Sequence, residues 1–159
     1  MPLGLWVERT QVIVDFCYIC YMMAMEDLVD IIITGWGLKS YLNLRHDVHF
    51  TDEEYRTRMR PDIRLLRTPH DPKFDAANFW SPAATQGISV AEGWKMKWHN
   101  MGNGGAQIRL PILLSGGHAY LCEAYVKSSD NADKRGLARF SVHAEQIRRG
   151  NFDICGRVP

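Results

Sequence analysis

Residues 94–158 decide the fold: WKMKWHNMGNGGAQIRLPILLSGGHAYLCEAYVKSSDNADKRGLARFSVHAEQIRRGNFDICGRV. In a strand, residues i and i+2 share a face. Trp94, Met96 and Trp98 alternate with Lys95, Lys97 and His99 in that way. The same sidedness sets Ala106, Ile108, Leu110, Ile112 and Leu114 against Gln107, Arg109, Pro111 and Leu113. Ser115-Gly116-Gly117 is a tight connection, because glycine accepts the positive φ that short hairpins require. His118–Lys127 is apolar on both faces, as a covered central strand would be. Leu137–Ile147 places Ala138, Phe140, Val142 and Ala144 opposite Arg139, Ser141, His143 and Glu145, and Phe152–Val158 alternates again. Ser128–Gly136 has no large apolar residue and reads as a hairpin tip. The expectation is a five-stranded antiparallel meander, with an edge or a bulge at Pro111, which cannot donate to the ladder.

Working outward, residues 6–34 show a narrow polar stripe at Glu8, Gln11, Asp15 and Glu26, which predicts a long buried helix ending near Gly35 and Gly37. Its Val12, Phe16, Ile19 and Met23 would meet Trp94, Trp98, Ile108, Leu110, Phe140 and Val142. Residues 39–50 fit a helix or a strand equally. Thr51-Asp52-Glu53-Glu54 has the capping-box form, so a short helix should follow and stop by Arg60, ahead of Pro61. Residues 62–82 carry Pro69, Pro72 and Pro82 without a sustained period. The fold class is therefore α+β: a long N-terminal helix on a C-terminal meander, with an irregular proline-containing middle segment. Residues 1–159 form one domain, mainly helical over 1–60, irregular over 61–93 and sheet over 94–158.

With 46% hydrophobic and 23% charged residues, the 159-residue chain has an ordinary globular composition. Its net charge of +1 conceals a division. Residues 94–159 hold ten Lys/Arg and five Asp/Glu, whereas residues 1–50 hold three and six. Cys17, Cys20, Cys122 and Cys155 are too scattered for a disulfide scaffold, which favours a reducing, intracellular setting. The longest clean apolar run, Phe16–Met25, falls short of the ~20 residues of a membrane span. No transmembrane helix is expected.

Cys17 and Cys20 have redox spacing, but inside an apolar helix they lack the dipole that activates a thiol. His46 and His49 have no third ligand nearby, so no metal or other cofactor is expected. The polar sheet face would carry Lys95, Lys97, His99, Arg109, Arg139, His143 and Arg157. It would be a solvated surface, a docking face for an acidic partner or nucleic acid, or one wall of a pocket. Against nucleic acid, the aromatics that would stack on bases alternate to the opposite face. In an enzyme of lyase or isomerase type, His99, His143, Glu145 and Asp153 would be acid and base, histidine titrating near neutrality. That layout resembles the cone-shaped small-ligand folds in outline.

There is no nucleophile elbow or phosphate loop. The reading that results is a non-catalytic assembly subunit of a larger intracellular complex. It would dock through Phe74, Phe79 and Trp80, with Arg64 and Arg67 reaching acidic groups and Lys95, Lys97, Arg109 and Arg139 forming a second contact face. Aromatic and arginine side chains are the usual anchors of interfaces. Other protein subunits are the expected partners.

Overall fold

The computed structural model describes residues 30–159, and its architecture is α+β, built on a mixed seven-stranded sheet with three helices. The strands are β1 (Asp30–Thr34), β2 (Trp80–Thr85), β3 (Ile88–Met101), β4 (Ala106–Ser115), β5 (His118–Leu121), β6 (Tyr125–Val126) and β7 (Ile154–Arg157). Their order is β2-β3-β4-β5-β1-β7, with β6 pairing on β4 beyond β5. β1 runs parallel to β5, and every other pairing is antiparallel.

The alternation at Trp94–Trp98 holds, with Trp94 facing Ile112 and Trp98 facing Ile108 across the β3–β4 ladder. Pro111 lies in a central strand, opposite Lys95. It is tolerated because the neighbouring strand is interrupted at Cys122–Ala124, where the register slips between β5 and β6.

The five-stranded antiparallel meander and the long N-terminal helix do not fit this structure. Residues 30–34, expected to close that helix, form β1 inside the sheet, and Gly35 and Gly37 open the next helix instead of ending one. A short run such as Ile31-Ile32-Ile33, covered on both sides, carries no period and reads equally as helix or strand. The expected helix core, Val12, Phe16, Ile19 and Met23, lies outside the described residues, as do Cys17 and Cys20.

Helix α1 (Gly35–His46) starts on Thr34, whose hydroxyl accepts from the Gly37 amide and donates to the Leu121 carbonyl. Helix α2 is composite: α-helical over Asp52–Glu54, π-helical over Tyr55–Met59, α-helical over Arg60–Arg64 and 3-10 over Leu65–Arg67. Its capping box forms as the spacing implies, Glu54 receiving the Thr51 amide and Thr51 the Glu54 amide. The helix does not stop at Pro61. The wider π turn lets the Arg60 amide reach the Tyr55 carbonyl, and Pro61 enters at the first turn of the next α-helical segment, where no donor is needed. Phe50, Met59, Ile63 and Leu66 then cover Trp98, Ile108, Leu110 and Ile112 on one face of the sheet.

The opposite face is covered by helix α3 (Asp130–Arg148), in the stretch expected to hold a hairpin tip and a fourth strand. The Ser129 hydroxyl caps it by accepting from the Ala132 amide, and Asp130 and Asp133 sit in the first turn, where the helix dipole favours anions. Its buried residues, Ala132, Asp133, Gly136, Leu137, Phe140, Ala144 and Ile147, recur at three- and four-residue spacing, whereas Val142 is 59% exposed. Two glycines allow this helix to lie close to the sheet. A Cβ on Gly136 would sit 2.5 Å from the Tyr125 ring, and one on Gly93 2.7 Å from the Phe140 ring.

Candidate functional site

The expected basic face is divided: Lys95 and Arg109 lie beneath α3, Arg139 and His143 are carried by α3 itself, and Arg157 is exposed on β7. Lys95 and Arg109 are buried, and the Lys95 Nζ lies 3.2 Å from Asp133 Oδ2. Tyr125 donates to Asp133 Oδ1 at 2.6 Å. Burial pushes the Asp133 carboxyl up, but the Tyr125 hydrogen bond and the Lys95 charge outweigh it and hold the group below its usual range. Burial and the bond to Asp133 push the Tyr125 phenol well above its ordinary range, so it remains a donor. Lys97 is half-buried and donates to the Ala77 carbonyl at 2.8 Å. Its ammonium pKa is lowered by burial and by the neighbouring Lys95 and Arg109 charges. One carboxylate thus pairs with Lys95 and offsets part of the charge of a cationic cluster from inside the molecule.

The four acid-base candidates are not gathered into one site. His99 is held through Nε2 on the Asn78 carbonyl at 2.7 Å and through Nδ1 on Gln107. Glu145 is exposed and pairs with Arg149 at 3.0 Å. Asp153 is exposed, its backbone carbonyl receiving the Gly35 amide at 3.0 Å. His143 stacks on Trp36 with ring centroids 4.1 Å apart and lies 3.9 Å from Glu123, which also pairs with Arg139 at 3.2 Å. The two histidines sit among different neighbours.

The His143 imidazole is held below its ordinary value of 6.5, chiefly by burial, with Glu123 acting against the shift and Arg139 adding to it. The folded state therefore favours the neutral ring. Its contribution to stability is complete above pH 6.5, the unfolded value, and is lost as pH falls through the lower folded value. Chemical denaturation at pH 7.5 and at pH 5 should show this loss in the parent chain, and His143→Gln should reduce it. An equal pH dependence in both chains would contradict the assignment.

The residues of the middle segment divide between core and surface. Phe79 is buried and lies 4.5 Å from the Lys73 ammonium, while Asp62 receives both Trp98 Nε1, at 2.8 Å, and Lys73. Arg64 is exposed, and Arg67 donates to the Val158 carbonyl. Phe74 and Trp80 remain half-buried and line an open groove of about 560 Å³ with Leu66, Trp94, Leu114 and His118. Trp80 and Trp94 stack at 5.3 Å with 9° between their planes, and Phe74 meets Trp80 edge-on at 5.0 Å.

Glu92, exposed at the groove margin, has φ 58°, and the β2–β3 register shifts beside it between Pro82 and Ala84. A non-glycine residue in this left-handed region costs about 1–2 kcal/mol, and such outliers cluster at functional positions. As aromatics of an aperiodic segment, Phe74 and Trp80 were legible as docking candidates, though not as neighbours in a groove. Glu92 was not, because a bulge that turns a strand residue outward leaves no mark in the alternation.

Fold and groove together define an α+β domain with an aromatic recess at the end of its β2–β3–β4 ladders. Comparison with protein-family models, with curated proteins and with solved structures finds no match to the chain. Among the described residues, no group of three His, Cys, Asp or Glu side chains could hold a metal ion, and no helix is long and apolar enough to cross a membrane.

Proposed function

We propose that the protein is a non-catalytic assembly subunit of an intracellular complex, and that its aromatic groove receives an apolar segment of a partner protein carrying a basic residue opposite Glu92. The observation that carries this reading is the groove itself: stacked Trp80 and Trp94, edge-on Phe74, and a strained acidic residue at the margin. Half-exposed tryptophans in a concave setting are typical anchors, and a charge at the rim governs specificity more than affinity. Among the described residues, Cys122 is buried and Cys155 exposed, and neither is in a disulfide.

Peptides selected from a random displayed library against the full chain test the reading. Selected sequences should share a large apolar residue beside Lys or Arg. Trp94→Ala should weaken them at least about tenfold, the scale of a central aromatic anchor. Glu92→Gln, on an exposed bulge where folding is little affected, should weaken them a few-fold and flatten their salt dependence. Selection of no such class, or binding indifferent to both substitutions, would overturn the proposal.

A further inference from the structure

A second recess, sharing no lining residue with this groove, lies between α1, α2 and the sheet. It has a volume of about 200 Å³, and its walls include Leu44, Phe50, Met59, Ile63, Leu110 and Leu121, all buried. Protein interiors are close-packed and hold few voids larger than a water molecule. An apolar cavity of about 150 Å³ suffices for a benzene ring. This recess is therefore sized for one substituted ring.

Two further features give it polarity and shape. Its α2 wall includes Tyr55 and Met59, the two ends of the π-helical turn, a widened turn frequent at functional sites. Tyr41, Tyr55 and Arg60 also line it, the two phenol rings lying 5.2 Å apart, so that two phenol-bearing residues and one arginine stand among otherwise apolar neighbours. A sugar or nucleotide would be too large and too polar for these walls, and an aryl ring bearing a carboxylate offers Arg60 a counter-charge that a hydrocarbon lacks. A molecule with an aromatic ring at one end and a carboxylate at the other fits both.

We propose that this cavity binds a monocyclic aryl carboxylic acid, its ring against Met59, Ile63 and Leu121 and its carboxylate toward Arg60 and the Tyr55 hydroxyl. The site is separate from the groove, so it stands or falls independently of the assembly role. Arginine suits the head group because its planar fork matches a carboxylate. Burial keeps the Tyr55 phenol above its ordinary pKa, with Tyr41 adding to the shift, so the hydroxyl remains a donor at neutral pH.

The probes are phenylacetate, benzoate and toluene, titrated into the full chain by calorimetry and by ligand-observed NMR. Phenylacetate or benzoate should bind saturably and raise the melting temperature, with transfer between ligand ring protons and the Met59 methyl group or the Trp98 ring. Arg60→Met should weaken the acids about tenfold and leave toluene unchanged. Val158→Trp should block the cavity from the C-terminal end, where the backbone amide of residue 158 is anchored on the Ile31 carbonyl. Three results would overturn the proposal: no saturable binding of either acid, toluene binding as well as the acids in parent and Arg60→Met alike, or ring contacts placed outside the lining formed by Met59, Ile63, Trp98 and Leu121. Because those contacts are read in the parent chain, a misfolded Val158→Trp variant would leave the outcome decisive.

Discussion

Asp133→Ala is expected to destabilise the protein by about 3–5 kcal/mol, the loss that follows removal of one member of a buried ion pair. Lys95 is only 7% exposed, and Arg109 and Lys97 stand close by. Without the carboxylate, three cations share a region closed by α3, and the Tyr125 hydroxyl loses its acceptor. Most of this loss reflects stranded charge and not the net worth of the pair. Lys95→Met combined with Asp133→Leu should therefore recover much of the stability, as happens when buried ion pairs are exchanged for well-packed apolar groups. Because the Asp133 carboxyl titrates below its ordinary 3.8, its contribution is present above that pH and is lost only as pH falls through the lower folded value. Urea denaturation of the two variants at pH 7 is the check. A cost under about 1 kcal/mol for Asp133→Ala would mean that water already reaches Lys95.

Phe140→Ala should cost about 3–5 kcal/mol, whereas Val142→Ala should change stability by no more than about 0.5 kcal/mol. Phe140 is 1% exposed and packs with Leu113, Leu137, Val90 and Ala144, while Val142 is 59% exposed on the outer side of α3. In a strand the two residues would share a face and lose comparable packing. The difference between the two substitutions is thus a direct test of whether residues 130–148 coil or extend, and equal costs would refute the helix.

That stretch shows why half of the fold was legible and half was not. Ala138, Phe140, Val142 and Ala144 alternate, yet Leu137, Phe140, Ala144 and Ile147 recur at helical spacing over the same residues. Ser129, followed by Asp130 and Asp133, was the signal that favours the helix, since hydroxyl caps and first-turn carboxylates belong at helix starts. β3 and β4 were readable because one face of each is strongly apolar against α2, and the Thr51–Glu54 cap because both of its partners lie within four residues. The candidate site was legible only in part. Phe74 and Trp80 stood out as aromatics without a period, but nothing local announces that Trp94 stacks on Trp80, which depends on the β2–β3 register.

By itself, then, the sequence determined what nearest neighbours control: strand alternation in β3 and β4, the α2 cap, and the chemical sidedness of Lys95 and Lys97 against Trp94, Met96 and Trp98. Only the tertiary structure decided that the charged side is interior. An acidic helix turn contributed by Asp133, 38 residues from Lys95, makes burial of that lysine tolerable. The parallel pairing of β1 with β5 was likewise beyond the sequence, because it joins Asp30 to His118 across most of the described chain, and a run of three isoleucines names neither its partner nor its direction.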